Sequence, residues 1–230
     1  MNFISNQLLE RRRLKLLKTP ELAPALQQYL SIPLPEAKTP LNEVEFLVLD
    51  FETTGLDVEC DRIVSLGYTL IKDLHISLSE SGHMLVNPKQ DMNEESVAIH
   101  ELTDDEVQQG VKLTQMMEHL LSLMQNRVLV VHCDRIEKSF INKASTLLYG
   151  VDDLPFRMLD TLRIESKRQQ REGGYIDPKN LRLFNLSGKY NLPRYKAHHA
   201  MQDAISTAEL FLAQLSHMGK NPHSKLKELL

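Results

Sequence analysis

Two carboxylates, Asp50 and Glu52, close an uninterrupted apolar run that begins at Phe46. In an extended strand, residues two apart project from one face. Two charges at the mouth of a buried strand are costly unless something positive sits between them, and a divalent cation is the simplest such group. Two later segments carry acids in similar settings. From Val130 a short apolar strand reaches His132 and passes through Cys133 and Asp134 into a helix. On that helix Glu137 shares a face with Ile141 and lies one turn from Asp134. The last helix opens with His198, His199 and Asp203, and Ala204, Ala208 and Leu212 continue at helical spacing, so Asp203 lies beside a packed stripe.

The elements that must position these acids read as follows. Phe46–Phe51, Arg62–Ile71 and His75–Val86 are strands close enough in sequence to form an antiparallel meander. Residues 93–125 read as mainly helical with a break near Gly110. Arg127–His132 is a further strand, followed by a helix from about Asp134 to Tyr149. Phe156–Asp160 is a fifth strand, and helices follow, the last from about His199 to His217. A meander followed by alternating helices and strands predicts an α/β fold with a mixed five-stranded sheet and helices on its faces. Residues 1–45 differ in composition. Phe3–Leu17 has helical spacing, Pro20 and Glu21 resemble a second helix start running to about Leu30, and residues 32–40 form a proline-rich connector. The organisation expected is a helical N-terminal extension with its linker (1–45), a catalytic domain (46–220) and a C-terminal tail (221–230). The basic run Arg11–Lys15 reads as a solvated helix face, with contact to nucleic acid or a membrane surface as the alternative.

The three acidic segments resemble the DnaQ-like, DEDDh-type 3′→5′ exonucleases, which include polymerase proofreading subunits, RNase T and oligoribonuclease. Asp50, Glu52, Thr54 and Gly55 match the first motif of that family, and His198 with Asp203 matches its last, His-x4-Asp. Smaller echoes are Asn87-Pro88, His100 to Thr103, and Leu159 to Leu162. The likeness covers about residues 45–215 and implies an RNase H-like fold. The middle motif departs from the pattern: ungapped alignment puts Glu137 where the family has an aspartate, with Cys133 and Asp134 replacing asparagine and alanine. Glu137 is favoured as the fourth acid, and Asp134 either shares that role or caps the helix.

The resemblance implies that Asp50 bridges two Mg²⁺ or Mn²⁺ ions while Glu52 and Asp203 complete the first and Glu137 supports the second. Such hard ions prefer oxygen ligands, and a pair activates water and neutralises the leaving oxygen in phosphodiester hydrolysis. His198 would deprotonate the attacking water. Helical geometry alone selects His199, four residues before Asp203, whereas family spacing selects His198. Thr53, Thr54, Gly55 and Leu56 would shape the pocket for the 3′ end, with His100 near substrate, and His132 reads as a strand-end core histidine. The activity implied is removal of nucleoside 5′-monophosphates from single-stranded DNA or RNA 3′ ends. The alternatives are a weakly active or inactive nuclease fold that binds nucleic acid or a partner, and a hydrolase of short oligoribonucleotides.

Composition narrows the setting. The 230 residues are 42% hydrophobic and 25% charged, with a net charge of −4, which argues against a protein that coats polyanions. The charge is uneven: Arg157–Lys196 holds 10 basic and 4 acidic residues, interleaved with Tyr175, Tyr190 and Tyr195, a candidate track for a phosphate backbone and stacked bases. Two distant cysteines, Cys60 and Cys133, provide neither a disulfide scaffold nor a zinc knuckle and suit a reducing cytoplasm. No apolar run approaches the ~18 residues of a membrane span, and Arg11 to Arg13 are not followed by the apolar core of a secretory signal. A cytoplasmic enzyme without membrane contact is expected, with a homodimer or a protein partner held through residues 1–45 as further expectations.

Overall fold

The computed structural model describes residues 3–87, 109–171, 173, 177–195 and 199–230. Its architecture follows from the first strand, β1 (Phe46–Thr53). Two strands, β2 (Ile63–Lys72) and β3 (His75–Leu85), return antiparallel on one side of it. On the other side β4 (Val128–Val131) and β5 (Arg157–Asp160) add in parallel, giving the order β3-β2-β1-β4-β5. This is the mixed five-stranded sheet expected. Being central and covered on both faces, β1 is continuously apolar rather than alternating.

Side-chain parity along β1 separates two cores. Leu47, Leu49 and Phe51 face a layer built from α2 (Pro24–Ser31), α3 (Leu113–Met124) and α4 (Asp134–Tyr149). Phe46 and Val48 face α7 (Ala200–His217), whose Ala208, Phe211 and Leu215 are buried against them. The Phe46 and Phe211 rings meet edge to face at 5.1 Å. Asp50 and Glu52 are the next two residues on this second side, so the strand that fills the α7 core also delivers both acids to its end. Two shorter helices, α5 (Thr161–Arg171) and α6 (Leu183–Lys189), complete this layer.

The flanking segments are held tightly against this core. Leu26, Tyr29 and Leu30 of α2 belong to the same apolar cluster as α3 and α4, and Tyr29 Oη donates to Pro155 O at 2.6 Å. The helix expected from Pro20 begins instead at Pro24, because Glu21 takes a left-handed φ of 55° that turns the chain first. Pro24 then occupies the first turn, where its missing N–H is not needed. The expectation of a solvated basic face on α1 (Phe3–Leu16) holds only in part. Arg13 is 5% exposed, paired with Glu10 and donating to Leu30 O, while Arg12 pairs with Asp152 and Asp153. The connector and the tail bind each other: Pro40 bridges Lys225, Leu41 N donates to Ser224 O, and Leu226 is fully buried. Among the described residues no helix is long and apolar enough to cross a membrane. Of the helical reading over 93–125, residues 93–108 lie outside those described. The remainder shows Gly110 pressed against Val86 and Asn87 before α3 begins.

Candidate active site

Asp50, Glu52 and Asp203 converge at the end of β1, with one ligand oxygen from each lying within 4.8 Å of the others. Strand parity supplies the first two. The third depends on a glycine. Gly67 of β2 pairs with Asp50 in the sheet, and the first turn of α7 lies directly on it. A Cβ added there would sit 2.0 Å from Ala200 C and 2.1 Å from Met201 N. Gly67 therefore lets the backbone of α7 touch the sheet, and Ala200, Ala204 and Ala208, all fully buried, keep the helix low along its length. Asp203 lies in the first turn of α7, where the helix dipole favours an anion.

The fourth acid, Glu137, projects from the first turn of α4 and is 3% exposed. Burial, with added repulsion from Asp160 and Asp134, pushes its pKa up to about 8. Asp50 is raised well above the ordinary carboxylate range, by burial first and then by Glu137, Asp203 and Glu52. Three acids that oppose the ionisation of a fourth, buried Asp50, call for a cation. The donor set is all oxygen, and Glu137 Oε2 is buried with no hydrogen-bond partner among the described residues. These residues fit a hard divalent ion.

Asp134 is placed differently from Glu137. Its carboxylate pairs with Arg163 at 2.7 Å and is not among the three whose oxygens converge. Nor does it cap α4: Asp160, at the end of β5, accepts from Cys133 N at 3.0 Å and Asp134 N at 3.1 Å. Asp160 thereby orients the helix that carries Glu137, and sequence reading gave it no role beyond the echo at Leu159–Leu162. Cys133, at the N-cap, adopts φ 84°, an unusual conformation for a side chain with a Cβ. His132 is a core histidine as expected, its ring nitrogens 2.8 Å from Thr161 Oγ1 and 2.9 Å from Leu181 O. Burial lowers its pKa.

His198 and His100 lie outside the described residues. His199 stands just before α7 in extended conformation, and its ring stacks on His83 of β3 with centroids 4.6 Å apart. His83 pairs with Gly67, so His83, Gly67 and Asp50 form one line across the sheet beneath the start of α7.

The loop after β1 is braced from within. Thr53 Oγ1 donates to Gly55 O at 2.7 Å, and Thr54 Oγ1 donates to Asp61 Oδ1 at 2.8 Å. Asp61 also accepts from Asp57 N, and a Cβ on Gly55 would lie 2.4 Å from its carboxylate. Gly55 thus makes room for Asp61. Lys143 of α4 ties the loop down through Val58 O and Glu59 O. At the tip Leu56 is 75% exposed.

The basic stretch 157–196 is largely engaged in internal structure. Glu165 is fully buried and accepts from Arg168, Gln169, Lys189 and Tyr190. Burial alone would raise its pKa, but these hydrogen bonds hold it well below the usual range. Tyr190 is pushed up to about 12 by burial and by Glu165. Tyr195 Oη donates to Glu209, and Arg157 is buried, donating to Pro35 O. Tyr175 and Lys196 lie outside the described residues.

Comparison with known proteins agrees with this architecture. The RNase T exonuclease family model matches residues 47–211. A PolC-type DNA polymerase III of Thermotoga petrophila is 27% identical over 185 residues, covering 80% of this chain but 13% of the polymerase. The 3′-5′ exonuclease DinG of Staphylococcus haemolyticus is 25% identical over 189 residues, 82% of this chain and 20% of DinG. The chain thus spans a fifth or less of these relatives. Among solved structures, E. coli exonuclease I in a zinc-bound complex with single-stranded DNA superposes with a TM-score of 0.61 at 17% identity, covering 77% of this chain and 41% of that one. Cell-death related nuclease 4 gives 0.60 at 17% identity, with 76% and 64% covered. Both share the RNase H-like fold.

Proposed function

Because the chain belongs to the RNase T exonuclease family, we propose that it is a metal-dependent 3′→5′ exonuclease acting on single-stranded nucleic acid. The observation that carries this reading is the convergence of Asp50, Glu52 and Asp203 with the buried Glu137 behind them. Asp50, Glu52 and Asp203 would hold the divalent ions, Mg²⁺ or Mn²⁺, with Glu137 supporting them. When bound, two such ions supply an activated water and a charge-neutralised leaving oxygen.

The chain's own residues do the rest. Asp50, anchored by the central strand, fixes the position of the scissile phosphate. The braced turn of Thr53, Thr54 and Gly55 forms a rigid shelf for the terminal nucleotide, and exposed Leu56 can wedge against its base. His198, by its position in the family motif, takes the proton of the attacking water, a task suited to an imidazole titrating near neutral pH. His100 is assigned to substrate contact on the same basis. The oxygen released on the shortened strand gains a proton, and the product is a nucleoside 5′-monophosphate. Two free cysteines, Cys60 and Cys133, are compatible with the reducing cytoplasmic setting proposed for it.

A 5′-labelled oligonucleotide incubated with Mg²⁺ or Mn²⁺ should yield a descending ladder that Asp50→Ala abolishes. The panel should include DNA, RNA, duplex and dinucleotide, and a folded, metal-replete protein that cuts none of them would refute the proposal.

A further inference from the structure

The segment outside the family match builds part of a groove that shares the first turns of α4 with Glu137. The helix α1 packs across the end of α4 and β5, leaving a recess of about 560 Å³. Its rim carries Arg11 and Lys15 from α1, four residues apart and so on one helix face, and Lys138 from α4. All three are exposed, and no ion pair engages them among the described residues, whereas Arg12 is committed to Asp152 and Asp153. The floor is apolar, formed by Leu8, which is 56% exposed, with Phe156 beneath.

The position of this groove matters. Asp134 lines it and lies one helical turn before Lys138, while Glu137, adjacent in sequence, turns about 100° around α4 towards the other acids. The groove therefore begins one helix face away from the proposed catalytic centre. The lining acids are already engaged, Asp153 by Arg12 and Asp134 by Arg163. Arg11, Lys15 and Lys138 therefore leave a net positive rim over an apolar floor, which complements a flexible chain of phosphates with bases on its inner side.

We propose that this groove binds the single-stranded nucleic acid behind its 3′ end, Arg11, Lys15 and Lys138 holding successive phosphates while bases lie over Leu8. The proposal rests on the exonuclease reading for the direction of the strand, but not for its binding. It gives the N-terminal helix a role in substrate affinity for strands longer than the catalytic centre itself accommodates.

The test is fluorescence anisotropy with labelled 12-nucleotide DNA and RNA strands in EDTA, where hydrolysis cannot proceed, across a salt series. Arg11→Ala/Lys15→Ala/Lys138→Ala removes three phosphate contacts at exposed positions. Its affinity should fall about 10-fold or more, and the log–log salt slope should drop by about 2, each lost contact to a single strand contributing about 0.7. Lys227→Ala, exposed at the opposite terminus, should leave both unchanged. With Mg²⁺ or Mn²⁺ the triple variant should hydrolyse a dinucleotide at the wild-type rate while losing kcat/KM on the 12-mer. Wild-type affinity and slope in the triple variant would overturn the proposal. Should wild type cleave neither substrate, the hydrolytic reading falls, and the salt slopes still decide the groove.

Discussion

Replacing Gly67 with alanine tests whether the acidic centre depends on direct contact between α7 and the sheet. The new methyl would lie 2.0 Å from Ala200 C, 2.1 Å from Met201 N and 2.3 Å from Ala200 O, all backbone atoms that no rotamer change can move. Against an ordinary carbon contact of about 3.5 Å, the start of α7 must rise by about 1.5 Å. Asp203 sits in that first turn and rides with it, opening a cluster whose ligand oxygens now lie within 4.8 Å. Misplacement by about 1 Å costs on the order of 10²-fold in rate, so Gly67→Ala should lose at least that much exonuclease activity and bind Mn²⁺ more weakly. Overpacking should also cost about 1–3 kcal/mol, a fall in Tm of roughly 2–12 °C for a chain of this size. Single-turnover cleavage, Mn²⁺ titration calorimetry and thermal melts measure the three effects. A matched control is Gly188→Ala in α6, where among the described residues the added methyl meets only Arg194 Nη2 at 3.6 Å, and activity should be unchanged. Wild-type cleavage and Mn²⁺ affinity in Gly67→Ala would refute the reasoning.

Other consequences follow from the same geometry. Glu137 has its pKa raised to about 8 by burial, so without metal the folded state binds a proton that the unfolded chain releases near pH 4.5. Stability in EDTA should therefore fall as pH rises from about 4.5 to about 8, by up to ~5 kcal/mol. Glu137→Gln should flatten that profile in thermal melts while weakening metal affinity 10- to 100-fold; an unchanged slope would remove Glu137 as its source. Cys133→Gly should relieve a positive φ and stabilise by ~1 kcal/mol, seen as a Tm higher by about 2–4 °C. Glu165→Ala removes the buried acceptor shared by Arg168, Gln169, Lys189 and Tyr190 and should destabilise by about 1–3 kcal/mol. Because the Glu165 pKa is depressed, the stability it contributes is present above about pH 4.5 and lost as pH falls below it. Denaturant melts at pH 7 and pH 3 should show the difference between Glu165→Ala and wild type shrinking in acid.

What could be read in the sequence was what is written locally. A central strand buried on both faces must be continuously apolar, so Phe46–Phe51 announced itself, and parity put Asp50 and Glu52 on one side. The alanine stripe of α7 placed Asp203 at its margin for the same reason. Features set by distant contacts were less legible. Pro20 and Glu21 carry the signs of a helix start, yet the chain turns at Glu21 and the helix waits for Pro24. Arg13 sits in a basic run, and only the fold reveals that Glu10 and Leu30 O take it into the interior. Asp160 caps a helix 26 residues away, which no local pattern reports. Gly67 did carry a signal, since an isolated glycine in a strand marks a close backbone approach. Which backbone approaches, however, is decided more than 130 residues later.

In the proposed reaction Asp50, Glu52, Asp203 and Glu137 together hydrolyse the terminal phosphodiester from the 3′ end. An oligonucleotide carrying its label in the 3′-terminal nucleotide tests this most directly. With Mg²⁺ or Mn²⁺, the label should leave at once and only as a nucleoside 5′-monophosphate, with no lag and no labelled intermediates, and Asp203→Asn should suppress the release in a protein that melts as wild type does. Label appearing first in internal fragments, or released equally well by Asp203→Asn, would rule out hydrolysis from the 3′ end by this acidic centre.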